Sequence, residues 1–434
     1  MHINFEQIRG NDSFILKNAT YYSSDHRFCK GDIAISNNKI KEILPSNSSN
    51  GTNVVDTQNL VIFPGLINSH LHPSKELYGG LEPFSSISEI LDTVHKNNHL
   101  ETKELQRLSS SYSILNSVNQ GITTLGIFTS RAEIDAEEAK KFNIRAVIHF
   151  AQNDQWVGKE SSPTASSIDN IINRYLDCVD NYESDLIKVH PATASELTAT
   201  SDLMKKLHAM AKEQGKRFAM HISEGSSQVD QCISYYGKSG IQILDEMDLL
   251  DDSTLLVHAA SLSNEDTAIL SNKNLNFIHC PVSNSFVGAG RFPFKSLLHN
   301  NVGLGTDAAM VNPFNNLPYE AAFSLYFHGE SNLDEKVHPN NIIEAITTKG
   351  ALALGIDNLG SIEEGMIADL CFFNQDNIFV DSQEPSLLFL DTYLKNKPVH
   401  VMVNGEFIIL NQKFLNFEFE QVRKEFFVNK RLER

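Results

Sequence analysis

Val61-Ile62-Phe63-Pro64-Gly65-Leu66-Ile67-Asn68-Ser69-His70-Leu71-His72 is the stretch on which the fold turns. Its apolar part reads as a strand, Ile62 to His70, that ends in a pair of histidines. Successive side chains on a strand alternate between faces, so His70 and His72 share a face and can aim two imidazoles at one metal ion. The pair alone leaves metal binding and packing both open, because a chain with sixteen histidines will place two of them two apart by chance.

Outward from that strand, short apolar runs alternate with amphipathic stretches, which predicts βα units and a parallel sheet. The further strands are expected at Thr123 to Phe128, Arg145 to Phe150, Leu186 to His190, Arg217 to His221, Leu255 to His258, Asn276 to His279 and Val302 to Asp307. Helical spacing of apolar residues falls at Lys103 to Val118, Ile168 to Cys178, Asp202 to Glu213 and Glu320 to Phe327. Eight such units predict an α/β chain with a closed (β/α)8 barrel of the TIM type. Short β-rich runs before residue 60 return at Gly365 to Phe373 and Val399 to Leu410, and predict a small β-sandwich domain built from both chain ends. The expected division is 1–62 with 360–413 for the sandwich, 63–359 for the catalytic barrel and 414–434 for a C-terminal helical tail.

The 434 residues carry a formal net charge of −18 and no basic tract, which argues against nucleic acid and anionic membranes as partners. Met1 to Gly10 lacks the apolar core of a signal peptide, and no stretch is long enough without charge to span a bilayer, so a cytoplasmic protein is expected. The five cysteines form no close-spaced pairs, which predicts reduced thiols rather than a disulfide framework or a cysteine zinc knot.

In a (β/α)8 barrel the active site gathers at the C-terminal strand ends. His70 and His72 stand at the first of these ends, His190 at the fourth, His221 at the fifth, His258 at the sixth, His279 at the seventh and Asp307 at the eighth. Three imidazoles and a carboxylate suit a divalent transition metal, with zinc the default and iron or manganese as alternatives.

Four motifs carry a resemblance: Pro64-Gly65-Leu66-Ile67-Asn68-Ser69-His70-Leu71-His72, His221-Ile222-Ser223-Glu224, His279-Cys280-Pro281-Val282-Ser283-Asn284 and Gly303-Leu304-Gly305-Thr306-Asp307. Together with Gly365-Met366-Ile367-Ala368-Asp369-Leu370 they resemble the amidohydrolase superfamily over nearly the whole chain. The resemblance is to its chlorohydrolase and aminohydrolase branch, which includes deaminases of guanine and S-adenosylhomocysteine. It implies that His70, His72, His221 and Asp307 bind one metal ion and that Glu224 shuttles protons. It also implies that His258 holds the attacking water or the oxyanion, and that His279 and His190 contact substrate or support the site. Asp307 then serves both as ligand and as acceptor of the water's proton. Binuclear members carry a carboxylated lysine at the fourth strand, which raises Lys188; the Glu224 spacing belongs to the mononuclear branch instead.

Specificity is expected in the loops Pro73 to Ser86, Gln152 to Ser161, Pro191 to Glu196 and Ser283 to Phe292. Trp156, the single tryptophan, could stack on a planar ring or pack, and Arg291 could pair with an anionic group. Tyr78, Phe84 and Phe286 are further pocket candidates. His95 and His99 have helical metal-site spacing without the accompanying Glu, and are expected to be exposed. His190-Pro191-Ala192-Thr193 departs from the His-x-Pro-Tyr-like run of nucleoside-type deaminases, as Ala259-Ala260 departs from a small polar pair; the first counts against a nucleoside substrate. The expected activity is hydrolytic deamination of an amino-substituted purine, pyrimidine, pterin or triazine. Loss of chloride, an alkylamine or an imine by the same site is the alternative within enzymes, and a metal-free scaffold or binding protein the alternative outside them. The partner is a small molecule, and a homo-oligomer is compatible with the resemblance.

Overall fold

A computed structural model describes residues 5–51, 53–157, 166–329, 337–378 and 384–430. The chain opens with β1 (Ser13–Tyr22), β2 (Phe28–Ser36), β3 (Lys39–Leu44), β4 (Val54–Asp56) and β5 (Leu60–Pro64). The barrel strands follow as β6 (Leu66–Leu71), β7 (Ile122–Thr129), β8 (Arg145–Ala151), β9 (Ile187–Ser195), β10 (Phe218–Ile222), β11 (Thr254–His258), β12 (Asn276–His279) and β13 (Asn301–Leu304). The chain then returns through β14 (Leu370–Asn374), β15 (His400–Val403), β16 (Glu406–Leu410) and β17 (Lys413–Phe414).

The run expected to be a single strand is therefore two. β5 lies in a mixed sheet, parallel to β1 and antiparallel to β14, whereas β6 starts the barrel beside β7. Gly65 is the crossing: its N–H donates to Asp369 O at 2.9 Å, and a Cβ there would stand 2.3 Å from the Thr123 side chain. Only glycine lets the backbone pass so close to β7.

β6 to β13 pair in sequence order as an eight-stranded parallel sheet, and a parallel bridge between Leu71 and Asp307 nearly closes it. Both chain ends build the second, nine-stranded sheet, with β14 against β5 joining the two halves. The largest apolar core lies between the barrel strands and their helices, from Ile114 and Leu125 through Ile148 and Leu203 to Phe277. A second core lies in the mixed sheet, and a third, including Ile67, Val147, Ala219 and Val257, occupies the barrel. Side chains plug the barrel below the level of the histidines, so its interior is a packed core rather than a pore. The tail helix Phe419–Asn429 packs on Lys103–Val118, with Phe426 stacked on Tyr112 at 4.3 Å. Among the described residues, no helix is long and apolar enough to cross a membrane.

Candidate metal centre and active-site cavity

β6 carries His70 to the barrel mouth and delivers His72 just beyond its end, β10 brings His221, and Asp307 stands three residues after β13. Asn68 ties the first and last of these motifs together. Its amide donates to Thr306 Oγ1 at 2.8 Å and its carbonyl accepts Thr306 N–H at 3.1 Å. The Asp307 N–H in turn donates to His70 O at 3.0 Å.

The donor atoms converge. His70 Nε2 lies 3.3 Å from His221 Nε2 and 3.6 Å from Asp307 Oδ1, and His72 Nε2 lies 3.5 Å from the same oxygen. A tetrahedral zinc site with bonds of about 2.0–2.1 Å has ligand-to-ligand edges of about 3.3–3.4 Å, so this spacing fits a divalent ion. His221 Nδ1 donates to Ala194 O at 2.7 Å, which leaves Nε2 with its lone pair turned inward. Burial pushes His70 down to about 4 and His72 to about 3, and holds His221 well below its ordinary value. Neutral imidazoles at pH 7 are the form that ligates. Burial opposes ionisation of Asp307, but His70, His258 and His72 around it hold its carboxyl well below the usual range.

His258 and Glu224 complete the group. His258 Nδ1 donates to Asn284 Oδ1 at 2.9 Å, and its Nε2 faces Glu224 Oε1 at 3.6 Å and Asp307 Oδ2 at 4.0 Å. With Nδ1 committed, Nε2 carries a proton only as the imidazolium. Asn284 Nδ2 points at His279 Nδ1 at 3.4 Å, and His279 Nε2 at His328 Nε2 at 2.9 Å, so a buried wire of rings fixes the orientation of His258. Glu224 is largely but not fully buried, and desolvation raises it to about 7. Ser223, His258, Ala259 and Asp307 all have positive φ, between 43° and 73°, a conformation that non-glycine residues adopt at a cost and that clusters at functional sites.

Above this group lies a cavity of about 310 Å³. His72, His221, Glu224 and Asp307 form its floor, Ile90, Val94 and Met310 an apolar wall, and Asn153, Thr198 and Gln228 a polar one. Trp156 stands at its side with the His95 ring edge-on at 4.6 Å.

The model of the amidohydrolase family matches residues 61–408. The chain belongs to the amidohydrolase family. Among proteins similar to this amidohydrolase, the 5-methylthioadenosine/S-adenosylhomocysteine deaminase of Pyrococcus furiosus is 26% identical, with 95% of this chain and 99% of that protein covered. A 5'-deoxyadenosine deaminase of Methanobrevibacter smithii is also 26% identical, covering 96% of this chain and 97% of the relative. In fold, the amidohydrolase superposes on an atrazine chlorohydrolase from Arthrobacter aurescens complexed with zinc, with a TM-score of 0.87, 18% identity and coverage of 96% and 100%.

Not every expected site residue of this amidohydrolase reaches the cavity. His190 does not end its strand: β9 continues through Pro191 to Ser195, and it is Ser195 that stands in register with His221. His190 is instead buried against the His149 ring at 5.5 Å and lines a separate cavity at the opposite barrel end, together with Lys188. Lys188 near the start of β9 is thus remote from the histidines, and the departure noted at Thr193 does not concern a residue of the active-site cavity. His279 lies beneath His258, stacked on Phe292 at 4.8 Å, rather than on the cavity surface. Arg291 donates to Phe327 O at 2.9 Å and lies over that residue's ring, away from the cavity. Phe84 is 80% exposed, Tyr78 hydrogen-bonds Glu101, and Phe286 packs on an apolar cluster beside the cavity. His95 is not exposed as expected, whereas His99 is. Of the loop Gln152 to Ser161, residues 158–161 lie outside the described residues.

Sequence reasoning missed Thr198 and Gln228, and covered Asn153 and Ser195 only as members of the expected specificity loops. The signal for Ser195 was present, since nothing from Val189 to Ala194 is a turn former except Pro191, and a proline need not end a strand.

Proposed function

We propose that this amidohydrolase removes the exocyclic amino group of an amino-substituted nitrogen heterocycle as ammonia, with His70, His72, His221 and Asp307 holding one divalent ion, zinc in the first instance. When bound, such an ion supplies Lewis acidity and lowers the pKa of coordinated water to about 7. The observation that carries the reading is Glu224, a largely buried carboxyl raised to about 7 that faces both the donor cage and the cavity. A carboxyl with that value holds its proton near neutrality and gives it readily to a ring nitrogen next to the carbon under attack. One proton of the incoming water replaces the one Glu224 has given, and the other passes through Asp307 to the departing amino group. Ammonia leaves, and the ring keeps a carbonyl beside the protonated nitrogen. His258, aligned through Asn284, turns its Nε2 toward the donor cage, where the oxygen that develops charge would lie.

The apolar wall and Trp156 suit a planar ring carrying an apolar substituent. The two deaminase relatives, at 26% identity over nearly their full lengths, support an adenine nucleoside with a modified 5' position as the first compound to try. The test is ammonia release across aminated purines, nucleosides, pyrimidines, pterins and triazines by the metal-loaded protein. Glu224→Gln is expected to keep its metal and lose at least ~10²-fold in kcat. Release of chloride or an alkylamine in place of ammonia, or undiminished turnover by Glu224→Gln, contradicts the proposal.

A further inference from the structure

Glu196 follows the last residue of β9 and is 1% exposed, yet it takes no part in lining the cavity. Its Oε1 accepts the Ser223 N–H at 3.3 Å, and its Oε2 accepts Gln228 Nε2–H at 3.2 Å. Gln228, in the first turn of the helix Ser226–Tyr236, then accepts the Glu224 N–H on its own Oε1 at 3.0 Å. The polarity of this chain is set by the Glu224 N–H, which can only donate: it takes the Gln228 carbonyl, so the Gln228 NH2 is left to donate to Glu196.

The backbone held in this way departs from ordinary strand or helix geometry. Ser223 has φ +48°, and its carbonyl accepts from Ala260 N at 3.2 Å and Ser261 N at 2.9 Å in the segment that follows His258. Gly240 backs the Glu196 side chain so closely that a Cβ there would stand 3.0 Å from Cγ. The carboxyl is therefore confined, and with it the two amides that follow the strand carrying His221. The geometry points to Glu196 as the positioning residue for Glu224: through Ser223 and Gln228 it fixes the backbone from which the proton-transferring carboxyl projects. It does so without touching substrate. This inference rests on the role given to Glu224 under the proposed function.

The wiring supplies its own test. In Glu196→Gln, the new NH2 faces the Gln228 NH2. If Gln228 turns over to relieve that clash, its NH2 meets the Glu224 N–H instead. Either way one link is lost, at nearly constant volume. The exchanged pair, Glu196→Gln with Gln228→Glu, restores every link: Ser223 N–H to Gln Oε1, Gln NH2 to the new carboxylate, and Glu224 N–H to its second oxygen.

The expected result for Glu196→Gln is a kcat at least ~10-fold lower, within the ~10²-fold that a 1 Å misplacement can cost, with KM within about threefold and metal content unchanged. Amide hydrogen exchange in a peptide spanning residues 218–229 should quicken for Ser223 and Glu224, and protection should return in the exchanged pair, which is read by protection alone because residue 228 lines the cavity. If Glu196→Gln does not fold, the exchanged pair decides: recovery of fold and of protection supports the inference, and failure to recover them overturns it. Wild-type kcat and protection in Glu196→Gln also overturn it. The exchange measurement needs no substrate, so absence of ammonia release from the wild type would sink the proposed reaction and leave the hold of Glu196 on this backbone separately decided.

Discussion

Adding a single methyl group at Gly305 should dislodge the metal centre. Gly305 lies between β13 and Asp307, and a Cβ built there would stand 2.5 Å from His70 Cβ, 2.8 Å from His70 N and 2.9 Å from His70 O. Carbon atoms rest in contact at about 3.5–4.0 Å, so Gly305→Ala needs a relative displacement of about 1 Å. Two of the three crowded atoms belong to the backbone and cannot rotate away. Because Asp307 N–H is bonded to His70 O, the shift moves two expected ligands against the rest. Metal–ligand distances tolerate about 0.2 Å, and overpacking of this kind costs ~1–3 kcal/mol in stability. The expected outcome is a folded protein of lower melting temperature whose metal affinity, read by competition with a chromogenic chelator, falls at least ~10-fold. The rise in melting temperature on adding metal should shrink in parallel. Gly215→Ala is the control: nothing lies within 4 Å of that Cβ, but φ is +64°, so it should cost stability through strain and leave metal affinity unchanged. A Gly305→Ala protein that binds metal as tightly as the wild type refutes the account of how β6 and β13 hold the ligands.

Burial in the mixed sheet pushes His400 down to about 4, so the folded state resists protonating it while the unfolded chain does not. Its contribution is intact above the unfolded value and is lost as pH falls through the folded one. Denaturant titrations of wild type and His400→Gln should therefore converge or cross on acidification from pH 7 to 4, by about 2–3 kcal/mol, and a pH-independent difference would contradict this. Trp156→Ala should raise KM about 10-fold with a smaller change in kcat, and Trp156→Phe should recover part of the loss; unchanged KM in the alanine variant excludes a stacking role. Lys188→Ala should leave metal stoichiometry untouched, because the side chain faces the opposite cavity; loss of an ion would revive a bridging lysine.

What the sequence made legible was whatever repeats with a period or sits at a strand end. The helix Lys103–Val118 and the strand β12 fall where apolar spacing put them, and the barrel order follows because each βα unit pairs with the one before it. The division of Leu60–Leu71 into two strands was hidden, since an apolar run looks the same whether it serves one sheet or two; only the close approach of Gly65 to Thr123 separates them. At the site, His70, His72, His221 and Asp307 stand out in the sequence as donor-type residues at the ends of the first, fifth and eighth barrel strands. His190 misled because the fourth strand is expected to end there, with a loop from Pro191, although β9 continues four residues beyond that proline. Arg291 misled because its charge suggested a ligand, while the carbonyl and ring of Phe327 satisfy it locally. Glu196, Gln228 and the wire from His258 through Asn284 to His328 depend on contacts between distant segments, for which one sequence carries no local signal.

The most direct test of the central claim is metal analysis of the purified, metal-supplemented protein beside His72→Ala and Asp307→Asn. One divalent ion per wild-type chain, strongly reduced in both variants with the fold intact, is the predicted result. No ion in the wild type, or full occupancy in both variants, would contradict the assignment of these residues as ligands.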